Sequence, residues 1–451
     1  MKIEYTYFQP FYGSLNSFIY ILTFILFLFV VIAFIKSKGD VINPSFLYST
    51  CLAGCCLLSA IYTKIWNLPM HFNTAIIIVT MSLFFFLGAF LAEYCCKIDI
   101  DKKIYISYSA QAFCINWRIW VFFILLMSFF AYLNYEEFLS VARQVTSAIE
   151  FKDMLRPVIK GLAHQEIELT RWNAYRLRFA TGMAYVSILA VWINLLAHRY
   201  KEVLKWGCFV LLYIPFMVLT GGRQQFMYLI IYGMVSFFII YRKYNLTKRL
   251  VRKELAIVGI ATVIFLCCFL GIGIVSGKID QDANFFKVLV HYAGINIAAF
   301  DVYINEMVMP DNHFIGTTTL GSIYGFIKAR GFDVPHYTQY IPFFTSFGPV
   351  TTNVYSAFFR YIHDFGYLGC ALIMFLIGFF YTFLYRKLYC EGLKNWMILV
   401  FSSIIYPVLL MGREERFLNE IITTSEISFL IGILILYKFF EFFSERGINA
   451  K

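Results

Sequence analysis

The sequence predicts an all-α, polytopic membrane protein of about eleven spanning helices, with one long external loop that carries short helices. Three observations predict it. Of 451 residues, 60% are hydrophobic and only 14% charged, whereas a soluble domain needs roughly a quarter of its residues charged to wet its surface. The mean hydropathy is +0.70. Apolar runs close to the ~20 residues that cross a bilayer as a helix recur along the whole chain.

The predicted spans cover about 15–36, 43–63, 74–95, 116–135, 178–197, 204–220, 224–241, 255–275, 364–385, 395–411 and 424–443. The loops between them carry a charge code. RKYNLTKRLVRK, at 242–253, has six basic residues and no acid, the strongest signal for a cytoplasmic loop. Counting outward from it, alternate loops are short and basic: KSKGD near 36, CKIDIDKK near 97, HRYKEVLK near 198 and YRKLYCEGLK near 385. The N-terminus then lies outside and the C-terminus inside. Along the chain this divides into spans one to eight over 1–275, an external loop over 276–363, and spans nine to eleven over 364–451. A second long external segment runs from about Glu136 to Ala174.

The same features exclude several classes. No soluble domain of ordinary size falls on the inner side, which argues against a transferase with its own cytoplasmic catalytic domain and against a pump with its own P-loop. The net charge of +11 calls for no nucleic acid, because a membrane protein concentrates lysine and arginine on its cytoplasmic rim. MKIEYTYFQPFYGS lacks the charged start and cleavage site of a signal peptide, and is expected to be retained. The eleven cysteines sit in or beside apolar runs or in short basic loops, as small buried hydrophobes do, and suggest neither a disulfide framework nor a metal site.

Three stretches place permanent charge where it is expensive. In LTGGRQQFMYLI, Gly221 and Gly222 form a predicted external turn and Arg223 opens the next helix. One reading is a glycine hairpin whose arginine snorkels to the interface. The other is an anion seat, since a helix N-terminus is already positive and a guanidinium offers phosphate a planar fork of donors. In LLMGREERFLNEII, Arg413 and Arg416 flank Glu414 and Glu415. That pattern fits either an internally salt-bridged loop or two phosphate-binding cations beside a carboxylate. In TTNVYSAFFRYIHDFGYLG, spacing puts Arg360, His363 and Asp364 within one helical turn. Asp364 can cap the following span and pair with Arg360, or serve chemistry, or do both.

The combination of Gly221, Gly222 and Arg223 with Asn353, Tyr355, Asp364, Phe365, Gly366 and Gly369 resembles the O-antigen polymerases of the Wzy type, also called oligosaccharide repeat unit polymerases. The likeness covers roughly residues 205–430; the first half matches in hydropathy alone. The resemblance implies a glycosyltransferase C-like fold in the bacterial inner membrane, with the long loop and the active site on the periplasmic face. It implies undecaprenyl-pyrophosphate-linked oligosaccharides as donor and acceptor, membrane lipid around them, and a chain-length regulator as a further partner. The implied reaction moves the growing chain onto the non-reducing end of a new lipid-linked unit.

The residues agree with that chemistry in outline. Negative charge grows on a departing pyrophosphate and needs preorganised cations; Arg223, Arg360, Arg413 and Arg416 are the candidates. No metal or other cofactor is expected, and Asp280 and Asp282, despite their Asp-x-Asp spacing, read as a solvated stretch. The acceptor hydroxyl needs a base within hydrogen-bond reach. Asp364 and Glu415 lead, with His363, His336 and Glu414 behind. Tyr324, Phe326, Phe332, Tyr337, Tyr340, Phe343, Phe344 and Phe347 in the long loop suit sugar stacking or, equally, an interfacial belt. IPFFTSFGPV, at 341–350, is too short to span. An O-antigen ligase of the same fold and a lipid-linked oligosaccharide flippase are the alternatives; a flippase predicts charge near the mid-depth of spans.

Overall fold

The computed structural model describes residues 6–8, 18–96, 112–163, 167–220, 223–244, 285–306, 315–334, 343–347 and 350–449, with a few isolated helical positions between 256 and 271. In chain order, the strand β1 (Thr6–Phe8) precedes helices α1 (Phe18–Lys36), α2 (Pro44–Trp66), α3 (Phe72–Cys95), α4 (Trp117–Val145), α5 (Phe151–Ala163), α6 (Arg171–Leu196), α7 (Tyr200–Leu219) and α8 (Arg223–Tyr244). Then come α9 (Phe285–Leu289), a π-helical turn (Val290–Gly294), α10 (Ile295–Glu306), α11 (Gly321–Lys328) and strands β2 (Phe343–Phe347) and β3 (Val350–Thr352). The chain continues with α12 (Ala357–Cys390), α13 (Asn395–Ile404), α14 (Tyr406–Leu410), a second π-helical turn (Phe417–Ile421) and α15 (Thr424–Asn449).

Nine helices among the described residues are long and apolar enough to cross a membrane, and the chain is a multi-span membrane protein. They match nine of the expected spans. The stretch 255–275 lies largely outside the described residues. The stretch expected at 395–411 is not one helix: it breaks at Ile405 into α13 and α14. Pro407 lacks an N–H and clashes with the preceding turn, so it is tolerated near a helix start and not inside one. A small sheet, unexpected in an all-α reading, occupies the stretch read as interfacial. β2 pairs antiparallel with β3 and parallel with β1, as Phe-Phe-Thr-Ser-Phe and Val-Thr-Thr favour.

Two compact units interleave along the sequence. The first comprises 1–99, 284–390 and 404–427, the second 100–283, 391–403 and 428–451. In the first unit, α2 starts on Asn43, whose side chain accepts from Ser45 N, with Pro44 at its first position; it ends on Asn67 in the left-handed region. Such caps satisfy backbone groups that a helix end leaves orphaned. α3 and α12 cross at glycines. A Cβ on Gly88 would lie 1.9 Å from the Phe375 carbonyl oxygen, and one on Gly378 would lie 2.0 Å from that of Phe85. Only residues without side chains let the two backbones meet so closely. At one end of this unit Glu93 pairs with Lys36 (3.2 Å) and Arg386 (3.7 Å), and Tyr385 donates to Asp40.

The sequence places the segment α9–α10 within an external loop. In the structure Ile295–Val302 is almost wholly buried. A Cβ on Gly294 would sit 2.9 Å from Ser59 N, so the π-turn presses directly on the α2 backbone.

In the second unit, Tyr185 stacks on Tyr232 at 4.2 Å, Thr181 donates to Tyr213, and Trp206 and Asn194 both donate to the Phe113 carbonyl. α4 and α5 close a small apolar cluster of Phe138, Val141, Leu155 and Val158. Glu137 receives Arg176 at 2.6 Å. An apolar groove of about 480 Å³ runs between α4, α6 and α15, walled by Phe123, Phe179 and Phe429, with Gly182 and Gly432 in its lining and Arg178 among its few polar residues.

Candidate functional site

Most of the expected site residues gather in the first unit, on two short segments. One is the start of α12. Its helix is broken at Gly366, where φ is 68° and ψ −176°, a backbone region essentially restricted to glycine. The other is the turn between α14 and the π-turn that follows it, residues 411–416. The two are joined where Ala357 N donates to the Met411 carbonyl at 3.0 Å.

The turn at 411–416, which the sequence reads as external, packs against residues in the middle of α2. A Cβ on Gly412 would be 3.0 Å from Cys55 Sγ and 3.3 Å from a Leu52 methyl. Cys55 is the twelfth of the 23 residues of α2, roughly 16 Å along the axis from Trp66. Phe417, next in the chain, packs on Phe380 and Tyr381.

Three charged side chains of this segment form one network with Glu420 of the following π-turn. Arg413 lies 3.4 Å from Glu414 Oε1. Arg416 pairs with Glu414 Oε2 and also with Glu420 Oε1, and Tyr406 donates to Glu420 Oε2 at 2.8 Å. Glu415 points the other way and is 3% exposed. It accepts from Tyr361 Oη (3.1 Å), Leu418 N (2.6 Å) and Asn419 N (3.3 Å). Arg360 acts electrostatically on both carboxyls.

The two neighbouring glutamates are driven apart. Burial pushes the Glu414 carboxyl up, but Arg413 and Arg416, with Arg360 behind them, outweigh it and hold it below its ordinary value. Burial also pushes Glu415 up, and there it prevails over Arg360 and the three hydrogen bonds. Adjacent carboxyls set in opposite directions are how one site carries an acid and a base together.

Asp364, 3% exposed, holds a different element. Its carboxylate accepts from Thr318 N (3.0 Å), Thr319 N (2.8 Å) and Thr319 Oγ1 (2.6 Å). One turn earlier in α12, Arg360 donates to the Thr318 carbonyl at 2.6 Å. The pair therefore clamps the turn at 315–319, with Gly316 at φ 79°, onto α12. His363 is half-buried and stacks on Phe359 at 5.8 Å. Tyr355 donates to or accepts from Thr345 at 3.0 Å, tying β2 to the start of α12.

Arg223 opens α8 in the second unit; its side chain and the Gly221–Gly222 turn lie outside the described residues, as do His336, Tyr337, Tyr340 and the Asp280–Asp282 pair. Of the loop aromatics, Phe347 is wholly buried, the Arg330 guanidinium covers Phe326 at 3.3 Å, and Phe332 is exposed. Among the described residues, no group of three or more His, Cys, Asp or Glu is arranged to hold a metal ion. Sequence reasoning misses Glu420, Tyr406 and Tyr361, whose roles depend on a π-turn and a helix break. It also misses the Thr318–Thr319 turn, because Thr-Thr-Thr carries no chemical signature. No protein-family profile, curated protein or solved structure matches the chain.

Proposed function

We propose that this chain is a membrane-embedded glycosyltransferase that polymerises undecaprenyl-pyrophosphate-linked oligosaccharide repeat units, passing the growing chain to the non-reducing end of a new lipid-linked unit. One observation carries the reading: Arg413 and Arg416 pair with Glu414, and Arg360 acts on both it and the adjacent buried Glu415, in a chain of long apolar helices. Buried charge in a membrane protein is costly and marks function by default. In this reading Arg413 and Arg416 take the pyrophosphate, and Glu414, which now occupies their donors, is the anion it exchanges with. Guanidinium stabilises the departing diphosphate without itself losing a proton. The reading puts the chain in the bacterial inner membrane, with this site open to the periplasm, and carries over a chain-length regulator as a partner.

The test is purified protein in lipid nanodiscs with a synthetic undecaprenyl-pyrophosphate repeat unit, followed by gel analysis. Ladders are expected from the wild type, and sharply shortened or absent ladders from Arg223→Lys, Arg360→Lys and Arg413→Lys, which keep the charge and lose the fork. Unchanged ladders in all three would remove the bidentate role.

A flippase is the second reading, favoured by the placement of the 411–416 turn against the midpoint of α2. It predicts transbilayer movement of a fluorescent lipid-linked glycan in proteoliposomes with no lengthening.

A further inference from the structure

Outside the guanidinium cluster, the first unit holds an imidazole–carboxylate pair. His71 is the residue before α3, and Asp301 sits in the buried face of α10. The Asp301 side chain is 0% exposed and that of His71 is 44% exposed. Asp301 Oδ2 lies 2.7 Å from His71 Nδ1, while Oδ1 accepts the His71 backbone N–H at 2.7 Å. Asn305 donates to Oδ1 at 3.3 Å and to Thr74 Oγ1 at 3.0 Å.

A carboxylate buried in an apolar helix is expensive unless paired. Tying down the loop before α3 would need only a neutral acceptor. What the ionised group adds is a fixed ring: with both ends of the carboxylate engaged by His71, an imidazole that donates through Nδ1–H keeps the Nε2 lone pair for another partner. An oriented imidazole backed by a buried carboxylate is the arrangement that takes a proton from a hydroxyl and steadies the resulting imidazolium.

The helix that carries Asp301 also borders one of the two segments described above. On the same helix, Phe300 packs on Phe358 at 5.9 Å and Tyr303 on Phe359 at 4.5 Å, so α10 lies against the segment that carries Arg360 and Asp364. The carboxyls there are less available. Asp364 is taken up by the 315–319 turn, and Glu415 is buried and accepts three hydrogen bonds.

We propose that His71 is the proton acceptor for the substrate hydroxyl, with Asp301 as its positioning residue; this rests on the transferase reading. The acceptor hydroxyl gives its proton to His71 Nε2 as its oxygen bonds to the anomeric carbon. The bond from that carbon to the diphosphate oxygen breaks, and the diphosphate leaves with the electron pair. The imidazolium then releases its proton to water.

Two measurements decide it. In the ladder assay, His71→Ala is expected to lower turnover by 10²–10⁴-fold, the usual contribution of a general base, with KM little changed and partial recovery on adding imidazole. A folded His71→Ala that keeps wild-type turnover, or whose loss imidazole does not reverse, overturns the proposal. Carbethoxylation by diethyl pyrocarbonate, read by mass spectrometry, needs no activity. Nε2 of His71 should acylate at least as fast as the exposed His198, and more slowly in Asp301→Asn. If the wild type makes no ladders, the transferase reading fails and this measurement judges the dyad alone: slower acylation of His71 than of His198 overturns it.

Discussion

Glu415 titrates under burial first, with Arg360 and three hydrogen bonds opposing it, and its carboxyl ends above the ordinary range. A carboxyl raised in the folded state stabilises the fold below its unfolded value, about 4.3, and loses that contribution as pH rises through the folded value. Glu415→Gln should therefore gain on the wild type in thermal unfolding as pH climbs from that point. Glu414 has the opposite sign: held low by its arginines, it stabilises above the ordinary value, and that contribution is lost as pH falls through the lowered one. A stability difference between wild type and Glu415→Gln that stays flat with pH would refute the assignment. Glu414→Gln should cost about 3–5 kcal/mol, as breaking a buried pair does, and should lower KM for the lipid-pyrophosphate if the freed guanidiniums bind it. An unchanged KM would place the diphosphate elsewhere. At this scale the sequence is legible wherever charge interrupts apolar runs: Arg360, Arg413, Arg416 and Glu415 stand out by their expense. Asp301 does not, because it lies in a stretch that reads as loop, where a carboxylate costs nothing.

Helices are where the sequence reads well, and the breaks in them are where it does not. Long apolar runs announce spans through transfer energy alone. A helix that stops at Ile405, re-forms for five residues and turns back is set by Pro407 and by packing on α2. The segment Phe285–Glu306 reads as loop because His291, Tyr292 and Gly294 interrupt its apolar pattern at the π-turn. Gly366 supplies a direct test. Its space is open, and a Cβ added there would meet nothing within 4 Å, so Gly366→Ala should cost about 1–3 kcal/mol from backbone strain alone. Gly88→Ala and Gly378→Ala should also destabilise, by prising α3 from α12, while Gly207→Ala, inside α7 and meeting nothing within 4 Å, should stabilise by up to about 1 kcal/mol. Equal melting temperatures for all four variants in detergent would show that neither the strain nor the close approach matters.

For the molecule as a whole, hydropathy and loop charge yield an orientation, and labelling can check it. In a cysteine-free background, Ser147→Cys should react with a membrane-impermeant maleimide in intact cells, and Lys201→Cys only after permeabilisation. The reverse pattern would invert every loop. The division into two interleaved units is not legible in the sequence, because which spans pack together is decided by side-chain fit and leaves no mark on hydropathy. The three-stranded sheet has a consequence for biogenesis. Thr6–Phe8 is synthesised well before its neighbour in the sheet, Phe343–Thr345. That strand must wait unpaired while span after span is inserted. An insertion into that strand would therefore crowd a joint that closes late.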